Sequence, residues 1–207
     1  MPSLTIRPAC PEDVALAVSV LHSSMGGLAD YFYSGGAQLS VDDYLGKMFT
    51  LSGHRFSWDT SFVIEADGRP IGMLLSYPGR QLNRLQNAFF LRLPSLYGWM
   101  GFLRLLWRFI PLASAPETYA DEYYVSNIGI LPEFQNRGYG AELMAFAEQK
   151  TREAGLTKCA LAVDAGNHGA IRFYERLGYK IMYSKKFTGA IASHESGYHR
   201  LVKTLTA

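Results

Sequence analysis

The chain has few of the residues that would let it fold without a full core or bind a metal. It holds only Cys10 and Cys159, far apart and each beside an apolar segment. A disulfide framework is therefore excluded as an organising principle, and both read as reduced, buried thiols. The five histidines show no metal-ligand spacing, so no metal is expected. A formal charge of +2 gives no overall attraction to a polyanion, which argues against a nucleic-acid partner. No secretory leader or lipidation signal opens the chain, and a cytoplasmic location is the expectation. Internal repeats, low-complexity stretches and linkers are missing too. So are the common nucleotide loops: there is no Gly-x-x-x-x-Gly-Lys-Ser/Thr, and Leu143 stands where a dinucleotide turn would have its third glycine.

What remains is a composition of 48% apolar and 18% charged residues over 207 positions, enough for one globular domain spanning 1–207. Leu4 to Ala9 reads as a first strand, and Pro11 suits the first position of a helix whose apolar stripe is Val14, Ala17, Val18 and Leu21. Ser40 with Asp43 forms a capping box for a second helix. Phe62–Glu65 and Ile71–Leu75 flank Asp67-Gly68 as a hairpin, and Tyr179 to Phe187 with Tyr198 to Leu205 reads as a final antiparallel pair.

The densest signal is Gln135-Asn136-Arg137-Gly138-Tyr139-Gly140. It follows a strand-like run, Tyr123 to Leu131, closed by Pro132, and leads into a helix carrying Leu143, Met144, Ala147 and Ala154 at helical spacing. Strand, glycine loop and helix start in that order place unpaired N–H groups and a positive dipole end at one point, suited to phosphate. After Gly155, Lys158 to Val163 reads as another strand. Asn167 then caps a short helix holding Ala170, Ile171, Phe173, Tyr174 and Leu177, which Gly178 ends.

The two motifs together, Gln135-x-x-Gly138-x-Gly140 and Asn167-x-x-Ala170-x-x-Phe173-Tyr174-x-x-x-Gly178-Tyr179, resemble those of the Gcn5-related N-acetyltransferase (GNAT) superfamily. The resemblance covers nearly the whole chain except residues 80–118. It implies an α/β fold with a mixed, mostly antiparallel sheet flanked by helices, and a V-shaped cofactor cleft between the fourth and fifth strands. It also implies acetyl-CoA as co-substrate. The pyrophosphate would lie on the N–H groups of Arg137 to Ala141, within the loop Gln135, Asn136, Arg137, Gly138, Tyr139, Gly140 and Ala141. A bulge near Ile128 to Ile130 would turn the Ile130 N–H toward the thioester. Asn167, Ala170 and Phe173 would border the pantetheine arm, and Tyr174 would protonate the departing thiolate.

The general base departs from the family pattern. Where some relatives carry a glutamate, this chain has Tyr124 and Ser126. Glu122 ranks first as a substitute, acting through a water on Ser126, followed by Asp164 and then His168; Glu122 reads equally well as a strand-end residue. Strand alternation puts Glu122, Tyr124 and Ser126 on one face if no bulge intervenes.

Residues 80–118 combine apolar residues with five arginines and one glutamate. Pro94 and the arginines argue against a membrane span. A core or dimer-interface helix, a wall of the acceptor cleft and a membrane-surface helix remain open readings. If the segment shapes the acceptor site, its composition favours an amine with an apolar or anionic portion. The expected activity is direct transfer from acetyl-CoA to an amine of a small molecule or peptide. A CoA-binding sensor without turnover and an enzyme using a longer acyl-CoA stand as alternatives, and a homodimer is open.

Overall fold

The computed structural model describes residues 3–33, 39–109, 117–188, 191–192 and 196–206. Seven strands form one sheet: β1 (Leu4–Pro8), β2 (Ser61–Ala66), β3 (Arg69–Pro78), β4 (Glu122–Ile130), β5 (Lys158–Asp164), β6 (Lys180–Lys186) and β7 (Gly197–Thr204). Their order is β1-β2-β3-β4-β5-β7-β6. Every neighbouring pair is antiparallel except β4 with β5, the expected mixed and mostly antiparallel sheet.

Helices cover both faces. On one side lie α1 (Val14–Met25), α2 (Gly27–Tyr33), α3 (Val41–Thr50) and α4 (Leu82–Phe109). They pack Val20, Leu21, Tyr44, Phe49 and Phe89 against Val63, Met73 and Leu75 of the sheet. On the other side, α5 (Tyr139–Glu153) and α6 (His168–Arg176) pack Leu143, Met144, Ile171 and Tyr174 against Ile64, Leu74, Val125 and Leu161. Alternate residues of β2 and β3 thus enter opposite cores, as the period of two requires. Local signals behave as the sequence reading expects. Asp67-Gly68 turns the β2–β3 hairpin, and Ser40 Oγ accepts the Asp43 N–H at 3.1 Å while Asp43 Oδ2 accepts the Ser40 N–H at 3.2 Å. Pro11 opens a short 3-10 turn, Pro11–Asp13, rather than α1 itself.

One sequence expectation changes, and one open reading gains support. Cys159 is buried and Cys10 only partly so, both as free thiols. Within residues 80–118, Leu82–Phe109 holds two helical stretches that meet at a kink at Gly98 (φ 65, ψ 170), the first carrying Pro94. Pro94 removes one helical hydrogen bond a turn before that break, where the ladder is already ending. Leu85, Phe89, Leu93 and Leu105 are buried, so α4 is in part a core helix. Ile110 and Pro111 lie outside the described residues.

His54, in the connection between α3 and β2, is fully buried. Its Nδ1 accepts the Phe56 N–H at 3.2 Å, so Nε2 carries the proton and donates to the Met48 carbonyl at 3.0 Å. Burial disfavours the imidazolium and pushes the pKa down to about 4. The unfolded chain takes up this proton near pH 6.5 and the folded one only near 4, so the stabilisation is complete above 6.5 and lost as pH falls between them. We expect a loss of about 3 kcal/mol over that window. Urea titrations at a series of pH values should show it, and His54→Gln should flatten the dependence.

Candidate active site

The parallel ladder between β4 and β5 runs only from Glu122↔Lys158 to Val125↔Leu161. Beyond it β5 continues against β7 to Asp164↔Tyr198, and β4 continues against β3 to Ile130↔Gly72. The strands therefore part, leaving an opening lined by the second half of β4. A bulge sits at the point of parting. Leu75 faces Asn127 and Ser76 faces Val125, so Ser126 is the extra residue. This corrects the expected bulge near Ile128 to Ile130, and it separates Ser126 from the alternation of Glu122 and Tyr124. The Leu131 N–H bonds the Ile71 carbonyl at 2.9 Å. By antiparallel alternation the N–H groups of Ile128 and Ile130 then point away from β3, into the opening. Gln135 Nε2 donates to the Ile130 carbonyl at 2.9 Å, tying the loop to the strand end.

At the mouth of this opening stands the start of α5. Gly138 occupies its N-cap at φ 88, and Asn136 precedes it at φ 60. These left-handed conformations suit glycine and, among the other residues, asparagine. The Ala141 and Glu142 N–H groups bond back to the Gly138 carbonyl at 2.9 and 3.2 Å. Ala141 is thereby removed from the expected anion donors. The N–H groups from Asn136 to Gly140 precede the first helical bond and form a cradle at the positive helix end, which fits a phosphate. The Arg137 guanidinium donates to the Glu133 carbonyl at 3.0 Å and lies over the Phe134 ring.

The second motif closes the other side. Asn167 Oδ1 caps α6 by accepting the Ala170 N–H at 3.0 Å. A Cβ placed on Gly140 would lie 3.4 Å from Phe173 Cζ, so the glycine loop and α6 meet there. Tyr174 is 8% exposed and packs in one cluster with Val163, Ile128, Tyr139 and Phe173, at the parted strand ends. Burial raises its phenol pKa, so it holds its proton firmly.

Across the sheet, on the face of α1 to α4, the opening leads into a cavity of about 140 Å³. Ser126, Asn127 and Asp164 stand where it meets the parted strands, and Phe32, Phe89, Phe109 and Phe187 are among its walls. Its polar floor is a network. Arg55 makes a bidentate pair with Glu117 (2.6 and 3.1 Å) and reaches Gln86, while the Tyr124 hydroxyl donates to Glu117 at 2.9 Å. Burial opposes ionisation of Glu117, but Arg55 and Tyr124 outweigh it and hold its carboxyl below the usual range.

The profile of the Acetyltransferase (GNAT) family matches residues 37–179. The chain belongs to that family. It is 38% identical over 60 residues to the mycothiol acetyltransferase of Corynebacterium aurimucosum, covering 29% of this chain and 19% of that protein. Matches to the curated relatives span less than half of their length. The fold resembles an N-acetyltransferase from Staphylococcus aureus Mu50 at a TM-score of 0.68, with 21% identity and coverage of 96% of this chain and all of that one. It also resembles the PaiA N-acetyltransferase of Thermoplasma acidophilum, solved in complex with coenzyme A, at a TM-score of 0.53 and 15% identity, covering 98% and 99% of the two chains.

Glu122 lies away from the opening between the parted strands. It starts β4, at the paired end of the ladder, and is 3% exposed. Its carboxylate pairs with the buried Arg200 and accepts from Thr118 Oγ1 at 2.9 Å and from the Tyr119 N–H at 2.8 Å. Three hydrogen bonds and the Ser126 bulge hold this carboxylate at the paired end of the ladder, away from the opening. His168 begins α6 and is exposed, outside the cavity lining. Asp164 lines the cavity, with Oδ1 accepting the Gly166 N–H at 2.9 Å. Nothing in the local sequence marks Arg55 as a cavity residue, or shows that Tyr124, which stands where some relatives carry a glutamate, bonds Glu117. The one legible hint was Glu117, a single acid beside a stretch rich in arginine. Glu122→Gln would leave Arg200 buried and uncompensated. We expect a loss of about 3 kcal/mol in urea unfolding, with the pH profile of turnover unchanged.

Proposed function

We propose that this chain transfers an acetyl group from acetyl-CoA to the primary amine of a small acceptor with an apolar body. The observation that carries this reading is the parting of β4 from β5. It leaves one opening with an anion cradle at its mouth, Tyr174 on one face and an aromatic cavity on the other. The Asn136 to Gly140 N–H groups would hold the pyrophosphate of CoA, and the pantetheine arm would lie along β4 as an added strand. Asn167, Ala170 and Phe173 would border that arm.

The amine nitrogen attacks the thioester carbonyl carbon from the cavity side. Negative charge developing on the carbonyl oxygen is met by the Ile130 N–H, or by that of Ile128. The carbon–sulfur bond breaks, and the thiolate takes the Tyr174 proton as it leaves. Asp164 becomes the favoured base, receiving the proton the amine sheds, with Ser126 positioning the amine or a bridging water. Direct attack also agrees with Cys159, whose thiol burial pushes up to about 11, leaving little thiolate for a covalent route. We expect Tyr174→Phe to lower kcat about 10²-fold with CoA affinity unchanged. Asp164→Asn should lower kcat/KM by a similar order. Steady-state kinetics and calorimetric CoA titration check both; retained turnover in both variants would overturn these roles.

The cavity also refines the acceptor. None of the five arginines of residues 80–108 lines it among the described residues, and Arg55 is paired to Glu117. Support for an anionic portion is therefore lost, whereas the phenylalanine walls favour an apolar one. In an amine panel followed by thiol release from acetyl-CoA, arylalkyl and aliphatic monoamines should give the highest kcat/KM. Polyamines as the best substrates would contradict this choice. Faster release from a longer acyl-CoA than from acetyl-CoA would overturn the donor assignment.

A further inference from the structure

Gln86, Arg55 and Glu117 come from α4, from the connection before β2 and from the approach to β4, and all three line the cavity. One nitrogen joins them. Arg55 Nη1 donates to Gln86 Oε1 and, at 3.1 Å, to Glu117 Oε1, so these two oxygens are neighbours. Arginine has no acceptor, so the bond fixes the Gln86 amide with its oxygen toward Arg55 and its Nε2 turned away. That NH2 group has no partner among the described residues. Glu117 Oε2 is filled by Arg55 Nη2 at 2.6 Å and by the Tyr124 hydroxyl at 2.9 Å, whereas Oε1 accepts only from Arg55. A carboxylate oxygen has room for two donors, which leaves one lone pair of Oε1 open. The Glu117 side chain is 30% exposed against 11% for Arg55, so the carboxylate is the more open half of the pair. The cavity floor therefore offers a free donor beside a free acceptor.

Charge and size select what fits there. Arg55 and Glu117 are an ionised pair whose charges cancel. A second ammonium on the acceptor would meet the Arg55 guanidinium, and a carboxylate would meet Glu117. A hydroxyl carries no charge, and it both donates to Glu117 Oε1 and accepts from Gln86 Nε2. The volume of about 140 Å³, walled by phenylalanines, is the space one benzene-sized ring fills. We infer that the acceptor is a hydroxylated monoamine, a phenolic arylalkylamine filling the cavity best, and that Gln86 and Glu117 are the specificity-determining residues that hold its hydroxyl. The inference rests on the amine-acceptor reading above and narrows it. A floor built around a hydroxyl discriminates strongly, because an analogue without one leaves both protein groups unpaired.

The test compares tyramine with phenethylamine and O-methyltyramine, which differ only at the far end of the ring. Each is titrated by calorimetry into the full chain with CoA present, and each is assayed for thiol release from acetyl-CoA. Tyramine should exceed the other two about 10²-fold in affinity and in kcat/KM. Gln86→Leu and Glu117→Gln should each cut that preference about tenfold. Glu117→Gln takes the partner from Arg55, so circular dichroism accompanies it; Gln86→Leu keeps the ion pair and decides the matter if the other variant does not fold. Equal binding of the three amines would overturn the inference, as would a preference for tyramine that Gln86→Leu leaves intact. So would tighter binding of a diamine with an ammonium group in place of the hydroxyl. Absence of thiol release with every amine would overturn the transfer reading instead, and the calorimetric ranking then decides the hydroxyl site by itself.

Discussion

The structure turns on the point at which β4 leaves β5. Up to Val125↔Leu161 the two strands satisfy each other's backbone groups; beyond it they do not. Backbone donors in a protein interior are costly to leave unpaired, so a gap between two strands persists only if water or a ligand fills it. The Ser126 bulge makes the departure sharp, because one extra residue kinks β4 while β5 stays in continuous register with β7. The rest of the site is arranged around that gap. The α5 start stands at its mouth, α6 closes one side and the aromatic cavity opens on the other.

Two polar clusters, one buried and one half-buried, bracket the strand that makes the turn. Glu122 and Arg200 tie the paired end of β4 to β7, next to the edge strand β6. Arg55, Glu117 and Tyr124 bind the cavity floor to the same strand a few residues later. Pairs of this kind add little net stability over apolar packing, yet removing one partner is expensive. They therefore act chiefly as specifiers of geometry, keeping β4 straight to Val125 so that the bulge, and not a fraying end, opens the cleft. Both clusters join segments remote in sequence: Arg55 to Glu117, and Glu122 to Arg200.

The elements that were legible share one property: their causes lie within a few residues. The Asp67-Gly68 turn, the Ser40–Asp43 capping box, the Gly138 N-cap and the Asn167 cap each depend on local backbone geometry, and the hydrophobic periods follow the helix and strand repeats. The motif residues at 135–140 and 167–179 were read for the same reason. Their spacing does not show that a Cβ on Gly140 would meet the Phe173 ring at 3.4 Å, the close approach that joins the two motifs into one site.

The readings that failed needed something local spacing does not carry. Alternation puts Glu122 on one face with Tyr124 and Ser126 only if no bulge intervenes, and its burial against Arg200 is set by β7, which comes last in the chain. The bulge was misplaced by a few residues because its position depends on β3 register, and the Ala141 donor was lost to a turn whose closure depends on φ at Gly138. The element order, the glycine loop at the start of α5 and the family motifs rest on neighbouring residues and can be read along the chain. Where the strands part, which carboxylate faces the opening, what lines the cavity and which face of α4 is left to solvent are settled by the folded chain. Those outcomes follow from long-range pairing and packing, whose partners have no fixed separation along the chain.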